Sequence, residues 1–300
     1  CHDGRKTIVY VNSYHEGYKP GDAIRNGIVS SMDSAKYELK IYYLDSKRLD
    51  EAKALRIADS VAHQIIKTDP SILLVSDDYA VSRLVKPNLN KFRMPVVYCG
   101  VNWSAAAYSL PSDHVTGMLE VLPLRESISF LRKYYPESSS ITILSENSLS
   151  EQRNKELLDT LYKNCGLNPE YRLVENFDEW KAAFKAANRS SDLIYLPTNG
   201  SIKGWDNEEA EKFVNENIIK PVFTCDDFMM DYCVIGFTKV PEEQGKWTAN
   251  TAMRLLQGAL PSEIGVTKNT MVSKWLNMPN AEKIHFKPCT DEFKDINIIK

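Results

Sequence analysis

The sequence predicts an α/β protein of two Rossmann-like lobes with parallel sheets, joined by a hinge of three crossovers, and three observations carry that prediction. Short apolar, β-prone runs recur along the chain, each ending in carboxylates, amides or hydroxyls: 71–80 (SILLVSDDYA), 94–102 (MPVVYCGVN), 141–147 (ITILSEN), 193–199 (LIYLPTN) and 221–227 (PVFTCDD). Segments between them repeat apolar residues at steps of three and four, the period of a half-buried helix. The alternation also breaks where β-prone residues do not run directly into a helix. Strand-helix alternation means βαβ units, whose right-handed crossovers build parallel sheets covered on both faces.

Taken in order, 7–11 (TIVYV) reads as the first strand, and 22–32 as the helix after it. A helix over 51–67 follows, with Leu55, Ala58, Ala62 and Ile65 on one stripe. Similar stripes appear at Ile128, Leu131 and Tyr135, at Leu158, Leu161 and Cys165, and at Trp180, Phe184 and Ala187. The breaks fall at 115–118 (VTGM), at 234–238 (VIGFT), and around 264–266 (IGV) with 271–275 (MVSKW). They divide the chain into an N-terminal lobe, 5–118 with 235–268, and a C-terminal lobe, 119–234 with 269–300.

A chain of 300 residues is comfortable for two domains. Its 37 basic and 40 acidic residues, for a net charge of -3, give none of the basic excess that nucleic-acid binding requires. Apolar runs such as 72–75 and 94–99 fall far short of the roughly 18 to 20 residues that span a bilayer. The six cysteines (Cys1, Cys99, Cys165, Cys225, Cys233 and Cys289) show no C-x-x-C pair and no Cys/His ligand spacing, so no zinc site is expected. Cys99, Cys165 and Cys225 read as small buried hydrophobes. Cys1, followed by the polar HDGRK, reads as the lipidated first residue of a mature bacterial lipoprotein, which would place the protein outside the cytoplasm; an arbitrary boundary is the alternative.

An open parallel sheet receives ligands outside the carboxyl ends of its strands, which selects the candidate site residues. In 12–18 (NSYHEGY), the Ser13 hydroxyl and the amides of the following helix suit an anionic ligand group, or else Ser13 merely caps that helix and the tyrosines pack. Neither G-x-G-x-x-G nor G-x-x-x-x-G-K-[ST] occurs, so no nucleotide cofactor is expected. Of Asp77 and Asp78, one would receive a ligand ammonium or hydroxyl and the other cap a helix, and Asp226 and Asp227 invite the same division. Asn102, Asn147, Thr198 and Asn199 would supply neutral hydrogen bonds, and Glu120 closes a further run. Tyr14, Tyr18, Tyr79, Trp103 and Trp205 either sandwich a flat ligand or pack. Sequential carboxylates point in different directions and no nucleophile motif accompanies them, so no enzyme is expected.

In order along the chain, 11–18 (VNSYHEGY), 75–80 (VSDDYA), 95–102 (PVVYCGVN), 115–117 (VTG) and 221–227 (PVFTCDD) resemble the ABC-transporter substrate-binding protein family of the periplasmic-binding-protein type I fold, the group containing tryptophan- and tyrosine-binding lipoproteins. The likeness runs from Ile8 to about Ile284. It implies two lobes that close on a small-molecule ligand, presentation of that ligand to a membrane permease, a monomer, and membrane contact only through a lipid anchor. Aromatic amino acids are among the family's ligands. The chain is also similar to the extracytoplasmic sensor domains of histidine kinases, which would make a signalling partner the reader of the closed state; an enzyme on a similar scaffold is the third reading. The tyrosine-rich first loop departs from better-known transport members.

Overall fold

The computed structural model describes residues 5–289 and 295–300, and Cys1, the expected lipid attachment point, lies outside the described residues. The chain begins with β1 (Lys6–Asn12), α1 (Lys19–Ser30), β2 (Tyr37–Tyr43), α2 (Glu51–Thr68), β3 (Ile72–Ser76) and α3 (Asp77–Ala80). A π-helical turn, Val81–Val85, leads through α4 (Lys86–Asn88) to β4 (Val96–Asn102) and β5 (Val115–Glu120). Next come α5 (Leu124–Tyr134), β6 (Ser140–Glu146), α6 (Leu149–Asn164), β7 (Asn168–Val174), α7 (Phe177–Ser190), β8 (Leu193–Tyr195), α8 (Asn207–Asn217), β9 (Val222–Thr224) and β10 (Ile235–Lys239). The chain ends with α9 (Pro241–Leu256), α10 (Pro261–Ile264), β11 (Thr267–Lys268), β12 (Val272–Asn277), α11 (Met278–Lys283) and β13 (Asn297–Ile299).

These elements form two compact units, Cys1–Val121 with Val240–Asn269 and Leu122–Lys239 with Thr270–Lys300. The first unit holds a six-stranded sheet in the order β11-β5-β4-β3-β1-β2, parallel throughout. The second holds a seven-stranded sheet in the order β13-β12-β10-β9-β8-β6-β7, in which β12 runs antiparallel to β10. That departs from the wholly parallel expectation for a local reason. The chain leaves the second unit after Lys239 and returns at Thr270, and Val272 pairs with Lys239, so the returning strand starts where the departing one ended.

The runs expected as free connectors are sheet strands. Residues 115–118 open β5, with Val115 and Met118 buried, and 234–238 fall in and beside β10, which pairs with β9 and β12. The chain changes unit just after them, so 235–239 belong with the second sheet rather than with the N-terminal lobe. Among the helices, α2 is capped by Asp50, which accepts from the Lys53 amide at 2.9 Å. Its buried stripe is Ala54, Ala58, Val61, Ala62 and Ile65, with Leu55 facing outward at 37% exposure. Tyr135 and Cys165 lie one residue beyond α5 and α6, and both are only half-buried.

The core of the first unit joins Ile8, Tyr10, Ile72, Leu74 and Val97 of the sheet to Ile24 and Ile28 of α1 and to Ala249, Ala252 and Leu255 of α9. Two glycines let these helices approach. A Cβ on Gly27 would sit 2.4 Å from the Glu242 carbonyl oxygen, and one on Gly245 2.0 Å from that of Ile24.

In the second unit an Asp192 oxygen accepts from the amides and hydroxyls of Ser139 and Ser140 at 2.8 to 3.3 Å. These bonds, the Ser139 amide foremost, hold its carboxyl below the usual range against the opposing pull of desolvation. A depressed folded-state pKa gives stability that is present above the unfolded value of about 3.9 and lost as pH falls through the folded one. Asp192→Asn is therefore expected to unfold at lower urea than the parent at pH 7, with the two midpoints converging below about pH 4.

Candidate functional site

At the carboxyl edge of the first sheet, β1, β3, β4 and β5 end in polar residues that are buried: Asn12, Ser13, Ser76, Asp77, Asp78, Asn102 and Glu120. Backbone bonds from Leu44, Asp45 and Ser46 to the carbonyls of Asn12, Tyr14 and Ser13 zip the loop after β2 onto the loop after β1. Asn12 turns the latter, its Oδ1 accepting from the Tyr14 amide at 2.9 Å and its Nδ2 donating to Gly21 at 3.3 Å. Ser13 Oγ donates to the Ser76 carbonyl at 2.6 Å and accepts from the Ala80 amide at 2.8 Å, joining β1 to the start of α3.

The Tyr14 and Tyr18 rings meet edge to face with centroids 4.9 Å apart. The ammonium of Lys47, a buried residue, lies 4.9 Å from the first ring centre and 5.1 Å from the second. Burial pushes the Tyr14 phenol well above its ordinary pKa, helped by Asp77, Tyr18, Asp78 and Glu120, so those acids share its surroundings. His15 is shifted down by burial and by Arg48, against the pull of Asp45 at 3.5 Å. Arg48 holds Asp45 through both carboxylate oxygens at 2.7 and 2.8 Å.

The adjacent acids have different roles. Asp78 accepts from the Asn102 amide at 3.1 Å, the Asn102 side chain at 2.6 Å and the Tyr108 hydroxyl at 2.7 Å, and so locks the end of β3 to the end of β4. Asp77 sits in the left-handed region at φ 70°, a conformation that a non-glycine residue holds at a cost and that clusters at functional sites. Its carboxylate needs Gly100, where a Cβ would come within 2.9 Å of Oδ1. Gly100 lies in a register shift between β4 and β5, a strand irregularity of the kind found beside active sites. Gln244, fully buried on α9, accepts from the Gly100 amide at 2.7 Å and donates to Glu120 at 2.8 Å.

Trp103 also has a positive φ, 60°, and its indole N–H is buried with no hydrogen-bond partner. Its amide donates to the Glu120 carbonyl at 2.9 Å. Where the chain leaves the unit, the Asn269 side chain grips the Val121 amide and carbonyl at 2.7 and 3.0 Å. Tyr79 departs from the expected grouping. Its phenol lies beside Glu51 and Asp59 of α2 and beside Arg83, directed at the helix rather than at the Ser13 loop.

In the second unit Thr198 is buried, and its carbonyl accepts from Ser145 at 3.2 Å. Asn199 is half-buried in the same turn, where the amide of Ser201 donates to the buried Glu146 at 2.6 Å. Asp226 is buried and paired with Lys239 at 3.1 Å, whereas Asp227 is exposed at the start of a 3-10 turn, Asp227–Tyr232. Asn147 is exposed and braces a corner, donating to Glu175 at 2.6 Å and accepting from Gln152 at 2.8 Å. Trp205 packs with Phe177, Trp180 and Tyr232, centroids 4.9 to 5.1 Å apart.

Sequence reasoning missed Lys47, Gln244, Glu146 and Lys239. Glu146 directly precedes Asn147 in a run already selected, and Lys239 ends a strand, so position alone points to both. Lys47 gives no such signal, because β2 mixes Glu38 and Lys40 into its apolar residues and does not read as a strand. Among the described residues no cluster of histidine, cysteine or acid could hold a metal ion, and no helix is long and apolar enough to cross a membrane.

A family model described as ABC transporter substrate binding protein matches residues 15–287. Among curated proteins none matches the chain. A conserved domain protein from Vibrio cholerae has 16% identity and a TM-score of 0.75, with 98% of this chain and 99% of that one covered. An ABC domain from Streptococcus pneumoniae in complex with L-Trp has 14% identity and a TM-score of 0.75, covering 98% and 100%. A carbohydrate transporter from Acidothermus cellulolyticus in complex with myo-inositol has 11% identity and a TM-score of 0.64, covering 94% and 98%. At these identities the likeness is one of fold, the periplasmic-binding-protein type I α/β architecture.

Proposed function

The chain belongs to the ABC transporter substrate-binding protein family, and from that premise we propose that it captures a small polar metabolite of the aromatic amino-acid type by closure of its two lobes and delivers it to a membrane permease. The observation that carries the ligand class is the meeting of Tyr14 and Tyr18 with Ser13, Asp77 and Asn102 at one sheet edge: rings for an apolar face, a carboxylate for an ammonium, hydroxyl and amide for orientation. The L-Trp complex of the Streptococcus pneumoniae relative supports the same class, and the myo-inositol complex of another supplies the contrasting one. Capture needs no catalytic step. Closure around a ligand excludes water and strengthens each polar contact.

Calorimetry with L-tryptophan, L-tyrosine and myo-inositol tests this reading. The amino acids should bind, and Asp77→Asn and Asp226→Asn should each cost on the order of 2 to 5 kcal/mol of binding, because a ligand charge then loses its partner in a dry site. The exposed Asp227 should tolerate the same change. Affinities unchanged in all three variants, or binding of myo-inositol alone, would sink it.

A further inference from the structure

We propose that Lys47 recognises an anionic group of the ligand, with Tyr14 and Tyr18, so that the site selects zwitterions over the corresponding amines and over neutral polyols. This rests on the ligand site proposed above and adds to it the missing charge. The residues that the sequence singles out are acids, amides, hydroxyls and rings, and none of them can pair with a carboxylate. Lys47 is more than nine-tenths buried, a state that lysine seldom reaches. Its position is fixed by the three backbone bonds that zip 44–46 onto 12–14, and its ammonium lies over both tyrosine faces of the ligand loop.

The neighbouring charges define its role further. Asp45, two residues away, has both oxygens engaged by Arg48, so neutralising that acid is not the task of Lys47. Asp78 is bound by Asn102 and Tyr108, and Glu120 by Gln244. Asp77, Asp78 and Glu120 all act on the same phenol that Lys47 covers, so both signs of charge surround one ring. An aromatic zwitterion matches that arrangement group by group: carboxylate to Lys47, ammonium to the acid side, ring to the tyrosines. A bare amine leaves the lysine without its counter-charge, and a polyol engages neither charge.

The test compares L-tryptophan and L-tyrosine with tryptamine, tyramine and myo-inositol by calorimetry, on the parent protein, Lys47→Met and Lys47→Arg, each checked for folding by circular dichroism. The parent should bind the amino acids at least about 30-fold more tightly than the amines. Lys47→Met should erase that preference by weakening amino-acid binding alone, and Lys47→Arg should keep most of it. If Lys47→Met does not fold, the parent's preference and the arginine variant decide. Parent binding of L-tryptophan no tighter than of tryptamine, or an unchanged Lys47→Met affinity, overturns the inference while leaving the proposed function in place. Binding of none of the amino acids overturns the ligand class itself, and this inference with it.

Discussion

Asp78→Ala is expected to lower the unfolding free energy by about 4 kcal/mol, because it strips the acceptor from three buried donors at once. The donors are the Asn102 amide, the Asn102 side chain and the Tyr108 hydroxyl, and they tie β3 to β4. Bonds to an ionised acceptor are stronger than neutral ones, and each orphaned donor carries its own desolvation cost of about 1 to 3 kcal/mol. Urea denaturation measures the loss. Asp77→Asn is the matched control: it should unfold near the parent midpoint while binding poorly, and equal stability losses in the two variants would contradict the division of labour between them.

Gly245→Ala should be the second large effect, at about 3 kcal/mol or more of destabilisation. In an open helix the same change stabilises by about 1 kcal/mol through helix propensity, so the sign is diagnostic. Here the added Cβ would lie 2.0 Å from the Ile24 carbonyl oxygen and 3.0 Å from the Ile28 nitrogen, both backbone atoms that cannot rotate away. α1 and α9 would have to part, loosening Ile24 and Ile28 from Ala249 and Ala252. Thermal melts of Gly245→Ala, Gly27→Ala and the double variant check this, with losses less than additive because both open one interface. A rise in Tm for Gly245→Ala would show that the helices are not in close contact.

The parallel strands at the sheet centres were legible because burial on both faces makes them near-continuous apolar runs, as in 72–75 and 96–99. β2 was not, since it lies at a sheet edge and carries Glu38 and Lys40 on its exposed face. The reversed direction of β12 was invisible for another reason: pairing direction is set by where the chain re-enters the unit, not by the residues of the strand. At the site, the rule of strand ends found Ser13, Asp77, Asp78, Asn102 and Glu120 but treated both aspartates alike. What separates them is the φ of 70° at Asp77 and the three donors around Asp78, a difference of backbone geometry that two identical letters do not carry. Tyr79 failed because residues one apart on a helix face different ways, which turns its phenol toward α2. Lys47 reached the tyrosines only through an edge strand that the pattern did not reveal.

The α1–α9 contact also sets an order of events during synthesis. α9 follows Leu122–Lys239 in the chain, yet it completes the core that β1, α1, β3 and β4 begin. At ribosomal rates of roughly 5 to 20 residues per second, the intervening stretch of about 120 residues takes roughly 6 to 24 s to make. For that time the nascent first segment carries strands and α1 with Ile24 and Ile28 uncovered, the kind of surface that holding chaperones bind. The part of the protein made first is thus unable to finish folding until α9 has been translated.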